Sequence, residues 1–159
     1  MSDKNKIIIY TDGSSRGNPG PGGYGVVLMF GNIRKELSAG FTHTTNNRME
    51  LMAVIEGLRA LKKNDIPVII YSDSQYVVNA ITKGWLNKWI KTDFKGGKKN
   101  KDLWTEYYRL AKDFQIDMVW VKGHATNPFN NRCDQLATEA ADGKNLLEDK
   151  GFNKAALFD

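Results

Sequence analysis

Two short apolar runs, KIIIYTD at 6–12 and VIIYSD at 68–73, each end in an aspartate. The second is continuously apolar over 68–71, the pattern of a strand buried on both faces of a parallel sheet. Solvation does not place an acid directly after such a strand. The two runs therefore constrain the fold and the chemistry together: a sheet in which adjacent strand ends present carboxylates.

The rest of the chain fits around them. Residues 13–23 (GSSRGNPGPGG) are rich in glycine and proline and read as a loop. Residues 24–30 and 33–39 read as two strands joined by Gly31-Asn32, a two-residue hairpin signal. Leu51, Val54, Ile55, Leu58 and Leu61 fall at helical spacing, with Thr45 or Asn46 as cap. A strand at 68–72 follows, then a helix capped by Ser74 with Val77, Val78 and Ile81 as its core face. Leu103, Tyr107, Leu110, Ala111 and Phe114 mark a further helix, 116–121 a fifth strand, and Cys133, Leu136, Ala137 and Ala140 a last helix. A three-strand antiparallel meander followed by alternating helices and strands predicts an α/β fold: a mixed five-stranded sheet with two parallel strands, flanked by helices. In such sheets, sites form at the carboxyl ends of the parallel strands.

The 159 residues are expected to form one domain, 1–159, with a loosely held tail over about 143–159. No apolar run reaches the roughly 20 residues of a membrane span. The polar start, MSDKNK, has no apolar core of a signal peptide. A single cysteine, Cys133, excludes an intramolecular disulfide, so a cytoplasmic protein is expected. The formal net charge is +5, and seven lysines (83, 88, 91, 95, 98, 99, 101) against one acid, Asp93, concentrate more than that excess into one stretch, 83–101. Interleaved with Trp85 and Trp89, and followed by Trp104, this basic protrusion suits a nucleic-acid backbone and stacking; the plainer reading is that Trp85 and Trp89, at i and i+4, pack it onto the body. Trp104 is the tryptophan expected to be structural.

Asp12, Glu50, Asp73 and Asp134 are the candidate metal ligands, since carboxylates gathered at one sheet end are the hard-oxygen environment of Mg2+. Each has a plainer reading. Asp12-Gly13 is a common turn pair, Asp73 can cap a helix, and Glu50 and Asp134 stand near helix starts, Asp134 in the first turn, where the dipole favours acids. His124, in a loop ten residues before Asp134, can reach the same sheet end. Asn46 and Asn47 offer the donors and acceptors that suit base edges and 2'-hydroxyls.

Together these segments resemble the type 1 ribonuclease H family, of the bacterial stand-alone kind. The matching stretches are Tyr10-Thr11-Asp12-Gly13-Ser14, Gly17-Asn18-Pro19-Gly20-Pro21-Gly22-Gly23-Tyr24-Gly25, Thr44-Thr45-Asn46-Asn47-Arg48-Met49-Glu50-Leu51 and Ser72-Asp73-Ser74-Gln75-Tyr76-Val77. They continue with Trp120-Val121-Lys122-Gly123-His124-Ala125 and with Asn130 and Arg132-Cys133-Asp134. The resemblance implies endonucleolytic cleavage of the RNA strand of RNA–DNA hybrids by two Mg2+ or Mn2+ ions, leaving 3'-hydroxyl and 5'-phosphate ends. It implies Asp12, Glu50, Asp73 and Asp134 as ligands, with His124 assisting proton movement or product release. Asn18, Asn46, Asn47 and Gln75 would lie in the hybrid's minor groove, with Thr45 on a DNA phosphate and Arg48 also at the substrate. Lys88, Lys95, Lys98 and Lys99 would belong to the family's basic handle. Phe129 and Asn131 depart from the family, whose members often carry acids there. A monomer is expected. The alternatives are a catalytically silent hybrid-binding module, and an integrase-, resolvase- or exonuclease-like reaction on the same fold; the intact acid set argues against the first, and the 45–50 segment and the lysines against the second.

Overall fold

The structure, a computed structural model, describes residues 5–62, 64–122 and 127–152. Its elements run β1 (Ile7–Ser15), β2 (Gly20–Phe30), β3 (Ile33–Thr44), α1 (Asn46–Arg59), β4 (Val68–Ser72), α2 (Gln75–Thr82), α3 (Trp85–Lys91), α4 (Lys101–Ala111), β5 (Ile116–Trp120) and α5 (Pro128–Ala141). The five strands form one sheet in the order β3-β2-β1-β4-β5. β1, β2 and β3 pair antiparallel, while β4 pairs parallel with both β1 and β5. This is the mixed sheet that the pattern predicts.

The core face of α1 is the stripe read from the sequence. Leu51, Val54, Ile55 and Leu58 are all fully buried and meet Ile9, Val26 and Ile70 from the sheet. Burial of each such side chain contributes about 1.5–3 kcal/mol. Trp104 on α4 is fully buried as well, so it is the structural tryptophan.

The glycine-rich segment is not a loop along its length. β1 runs on to Ser15 and β2 begins at Gly20, so only residues 16–19 turn. The glycines serve packing instead. A Cβ on Gly25 would stand 2.3 Å from the carbonyl oxygen of Cys133, and one on Gly23 2.4 Å from that of Ala137. Helix α5 therefore lies directly on the backbone of β2, and the missing side chains set the helix–sheet distance. Replacing Gly25 by alanine forces the α5 backbone away, an overpacking cost of about 1–3 kcal/mol. Chemical denaturation checks this: a variant as stable as the parent would mean that α5 does not sit this close.

The segment after α5 is anchored where looseness is expected. Leu147 bridges Phe41 on the free edge of β3, its N–H donating to the Gly40 carbonyl at 2.8 Å. Asp149 is only 3 % exposed. Its carboxylate accepts from the Thr44 hydroxyl at 2.7 Å and from Arg48 Nε at 2.7 Å and Nη2 at 2.9 Å. The tail has no hydrophobic period because one buried ion pair and a strand bridge hold it. Residues 153–159 of the expected tail lie outside the described residues.

Candidate active site

The parallel pairing of β1 and β4 ends at Thr11 and Ser72. The next residue on each strand is an acid, Asp12 and Asp73, so two carboxylates stand side by side at the sheet's carboxyl end. The third arrives by helix. α1 begins with Thr45 as N-cap, its hydroxyl accepting from Arg48 N at 3.2 Å, and Glu50 is the fifth helical residue. Gly13 admits this helix: a Cβ there would meet Glu50 N at 2.3 Å and Met49 C at 2.4 Å. The absent side chain lets the first turns of α1 touch β1. Gly13 is thus a contact point within a strand, and Asp12-Gly13 is not a turn.

One carboxylate oxygen from each of Asp12, Glu50 and Asp73 lies within 4.8 Å of the other two. Asp12 is 4 % exposed, and its Oδ1 accepts from Gly13 N at 2.9 Å. Burial pushes the Asp12 carboxyl up to about 8, with the charges of Asp73 and then Asp134 adding to the rise. Burial likewise holds Glu50 well above the usual carboxylate range, reinforced by Asp12 and Asp73. Glu50 Oε1 and Asp73 Oδ1 are buried with no hydrogen-bond partner among the described residues. Crowded acids with unsatisfied buried oxygens are costly by themselves. A divalent cation removes both penalties, so the donor set fits a hard metal ion.

The backbone around Asp73 is fixed from several sides. Ser74, not Asp73, caps α2: its Oγ accepts from Val77 N at 3.2 Å, and its own N–H donates to Ser72 Oγ at 3.1 Å. This leaves the Asp73 carboxylate free of capping duty. Trp120, at the end of β5 and 43 % exposed, donates its indole N–H to the Asp73 carbonyl at 3.2 Å. The sequence carries no signal for that bond, because it depends on the β4–β5 register.

Asp134 stands apart from the three. Asn127 caps α5 by accepting from Phe129 N at 3.0 Å and Asn130 N at 3.1 Å, with Pro128 at the helix start. The helix therefore begins earlier than the apolar spacing indicates, and Asp134 falls in its second turn, not its first. It is exposed and outside the close cluster, yet near enough for its charge to act on Asp12. His124 lies outside the described residues.

The expected substrate contacts divide. Asn18, in the 16–19 turn, accepts from Asn46 N at 3.1 Å, and Ser15 Oγ donates to Asn46 Oδ1 at 3.0 Å, so this turn is pinned to the start of α1. Asn18, Asn46, Asn47 and Gln75 are all exposed, the last three in the first turns of α1 and α2. Lys88, Lys95, Lys98 and Lys99 are exposed on and after α3. Arg48 is corrected. It is 2 % exposed and bonded to Asp149 and to Asp102, the latter at 2.9 and 2.6 Å, so its guanidinium is used inside the protein and does not face substrate. Asn46 and Asn47, just before it, are exposed, while Met49 after it is buried.

The RNase H family model matches residues 4–142. Ribonuclease H of Syntrophus aciditrophicus is 52 % identical over 151 residues, which are 92 % of this chain and 87 % of that protein. The crystal structure of LC9-RNase H1, a type 1 RNase H with the type 2 active-site motif, superposes with a TM-score of 0.78 at 31 % identity, covering 87 % of this chain and 73 % of that one. LC11-RNase H1 in complex with an RNA/DNA hybrid superposes with a TM-score of 0.67 at 30 % identity, covering 86 % and 97 %. With the mixed sheet and the buried acids at its carboxyl end, these matches leave one conclusion: the chain belongs to the ribonuclease H family.

Proposed function

We propose that this protein hydrolyses the RNA strand of RNA–DNA hybrids endonucleolytically, leaving 3'-hydroxyl and 5'-phosphate ends. The observation that carries this reading is the trio Asp12, Glu50 and Asp73, gathered within 4.8 Å with two orphaned oxygens, in a chain of this family. These three and Asp134 would hold two Mg2+ ions, with Mn2+ as an alternative. When bound, the ions supply Lewis acidity to the phosphodiester and a water of lowered pKa. Asp12, Glu50 and Asp73 fix that chemistry to the sheet end, and Asp134, exposed at the rim, leaves room for the scissile phosphate. His124 is assigned proton movement or product release.

The exposed amides of Asn18, Asn46, Asn47 and Gln75 suit 2'-hydroxyl and base-edge contacts in a minor groove. Thr45, at the N-terminus of α1, suits a DNA phosphate. That LC11-RNase H1 is seen with an RNA/DNA hybrid supports the same substrate here. The lysines after α2 supply affinity without sequence preference. Changing Lys88, Lys95, Lys98 and Lys99 together to glutamine should reduce the slope of log Kd against log salt by about 3.5, if each lysine neutralises one phosphate at about 0.9 per contact. Fluorescence anisotropy in a metal-free buffer measures it, and an unchanged slope would make these lysines a solvated face.

The same reading takes the protein as a cytoplasmic monomer. Cys133 is free and buried, and no described helix is long and apolar enough to cross a membrane. The decisive experiment is cleavage of an end-labelled hybrid in Mg2+, with single-stranded RNA, RNA duplex and DNA duplex beside it. Cleavage confined to the RNA strand of the hybrid supports the proposal. Binding without cleavage, in Mn2+ as well, would overturn it in favour of a silent binding module.

A further inference from the structure

The turn at 16–19 joins β1 to β2 and carries Asn18. Its backbone is closely packed. Arg16 N donates to the Pro21 carbonyl at 2.6 Å, Gly17 is left-handed at a φ of 84°, and a Cβ on Gly20 would stand 1.9 Å from the Arg16 carbonyl oxygen. A turn closed this tightly keeps few internal freedoms, so the side chains that leave it set its direction.

On one side it is tied to α1. Asn46 N donates to Asn18 Oδ1, and Asn46 Oδ1 accepts from Ser15 Oγ. Each bond engages only the oxygen of an amide. The Nδ2 groups of Asn18 and Asn46 have no partner among the described residues. An amide NH2 is a donor that a 2'-hydroxyl oxygen or a minor-groove acceptor can take.

On the other side the turn is tied to α5. Gly13 meets α1, while Gly25, the cross-strand partner of Asp12, meets α5, so the two helices lie on opposite faces of the sheet. Arg16 grips the C-cap residue of α5: Nε donates to Asp142 Oδ1 at 2.8 Å and Nη2 to Oδ2 at 2.6 Å. A carboxylate at a helix C-terminus opposes the dipole, and the last turn of α5 has no basic residue of its own to offset it. Arg16 brings that cation from the far end of the chain and holds the Asp142 carboxyl below its usual range. Both side chains are about half exposed, so the pair adds little to stability. Its two parallel bonds do fix the direction of the guanidinium. The turn is thereby braced between the start of α1 and the end of α5.

We propose that Arg16 and Asp142 are a positioning pair for the hybrid: their two-bond grip fixes the 16–19 turn so that Asn18, beside Asn46, meets the 2'-hydroxyls of the RNA strand in one register. Arg16 acts through the turn and does not itself hold a phosphate. The inference rests on the hydrolase reading above and adds to it a device for recognising RNA that spans both faces of the sheet.

Steady-state cleavage of the end-labelled hybrid by the full-length protein tests it, together with a series of the same hybrid carrying one 2'-deoxynucleotide at successive positions of the RNA strand. Arg16→Ala and Asp142→Ala should each raise KM about 3- to 10-fold, as loss of one or two modest hydrogen bonds to substrate implies, with kcat within about twofold. In the parent, a deoxynucleotide at the position read by the turn should raise KM. In both variants that penalty should shrink, because the hydroxyl is no longer read. Exchanging the pair, Arg16→Asp with Asp142→Arg, rebuilds the ion pair in reverse and should return KM and the deoxynucleotide profile to within about twofold of the parent. A purely structural role would move Tm and leave the profile in place. An unchanged profile in both alanine variants would therefore overturn the inference. So would Asp142→Ala matching the parent, or an exchanged pair no better than Arg16→Ala, since Arg16 would then hold a phosphate directly. Cleavage by the parent protein, run in the same assay, separates these failures from failure of the hydrolase reading.

Discussion

Asp12→Asn should abolish hybrid cleavage and make the metal-free protein more stable. The loss follows from the site: asparagine keeps the shape and the Oδ1 acceptor for Gly13 N, but removes the charge that binds a cation. Losing several kcal/mol of transition-state stabilisation corresponds to about 10^3-fold or more in kcat. The gain in stability follows from the same crowding. Burial and the neighbouring acids raise the Asp12 carboxyl to about 8 in the folded protein, against 3.8 as the ordinary value. Between about pH 4 and pH 8 the folded state therefore holds a proton that the unfolded chain has released. Stability falls as pH rises through that window, and the penalty is complete above it. Asparagine removes the titration. Thermal unfolding in chelator should show the parent losing stability from pH 5 to pH 8 and the variant losing less, with a Tm about 5 °C higher at pH 8. Added Mg2+ should raise the parent's Tm more than the variant's. Retained cleavage, or a variant Tm below the parent's at pH 8, would remove Asp12 from a metal-binding trio.

Arg48→Ala should be the most destabilising single change outside the hydrophobic core. The guanidinium and the Asp149 carboxylate are each 3 % exposed at the side chain, joined at 2.7 Å, while Asp102, half exposed, accepts from the other edge. Removing the arginine leaves Asp149 buried with only Thr44 as a donor among the described partners. Breaking a buried pair from one side costs about 3–5 kcal/mol. For a chain of this size that is a Tm drop of about 10 °C. Arg48→Lys should recover only part of it, since one ammonium cannot bond two carboxylates along two edges. Changing Arg48→Met and Asp149→Leu together should be far milder than Arg48→Ala. Urea denaturation of the four proteins decides it. Equal losses in the double and single variants would mean that the pair is not the source of stability.

The chain's order of elements, its sheet type and the α1 stripe were legible because burial on a strand or helix leaves a period. The acids at 12 and 73 were legible for a related reason: they break an apolar run where solvent should not yet be reached. Position 48 was not. An arginine beside two exposed asparagines looks like one more contact to substrate, and only the return of the chain at Asp149 and Asp102 turns it inward. The glycine at 23 reads as a loop former because a missing side chain signals flexibility and close approach alike, and the sequence cannot say that α5 lies above it and above Gly25. The start of α5 was set by Asn127 and Pro128, which precede any apolar repeat. The bond of Trp120 to the Asp73 carbonyl joins segments far apart in the chain, and nothing local announces it.

The central place of β1 has a consequence for synthesis. Its parallel partner, β4, comes about sixty residues later, after the meander and α1 have been made. Asp73 cannot stand beside Asp12 until that parallel strand has closed a long loop, a slow step by its topology. A nascent chain still lacking β4 is thus a chain with the first two acids and no nuclease. Emergence from the ribosome and completion of the acidic trio are separated in time.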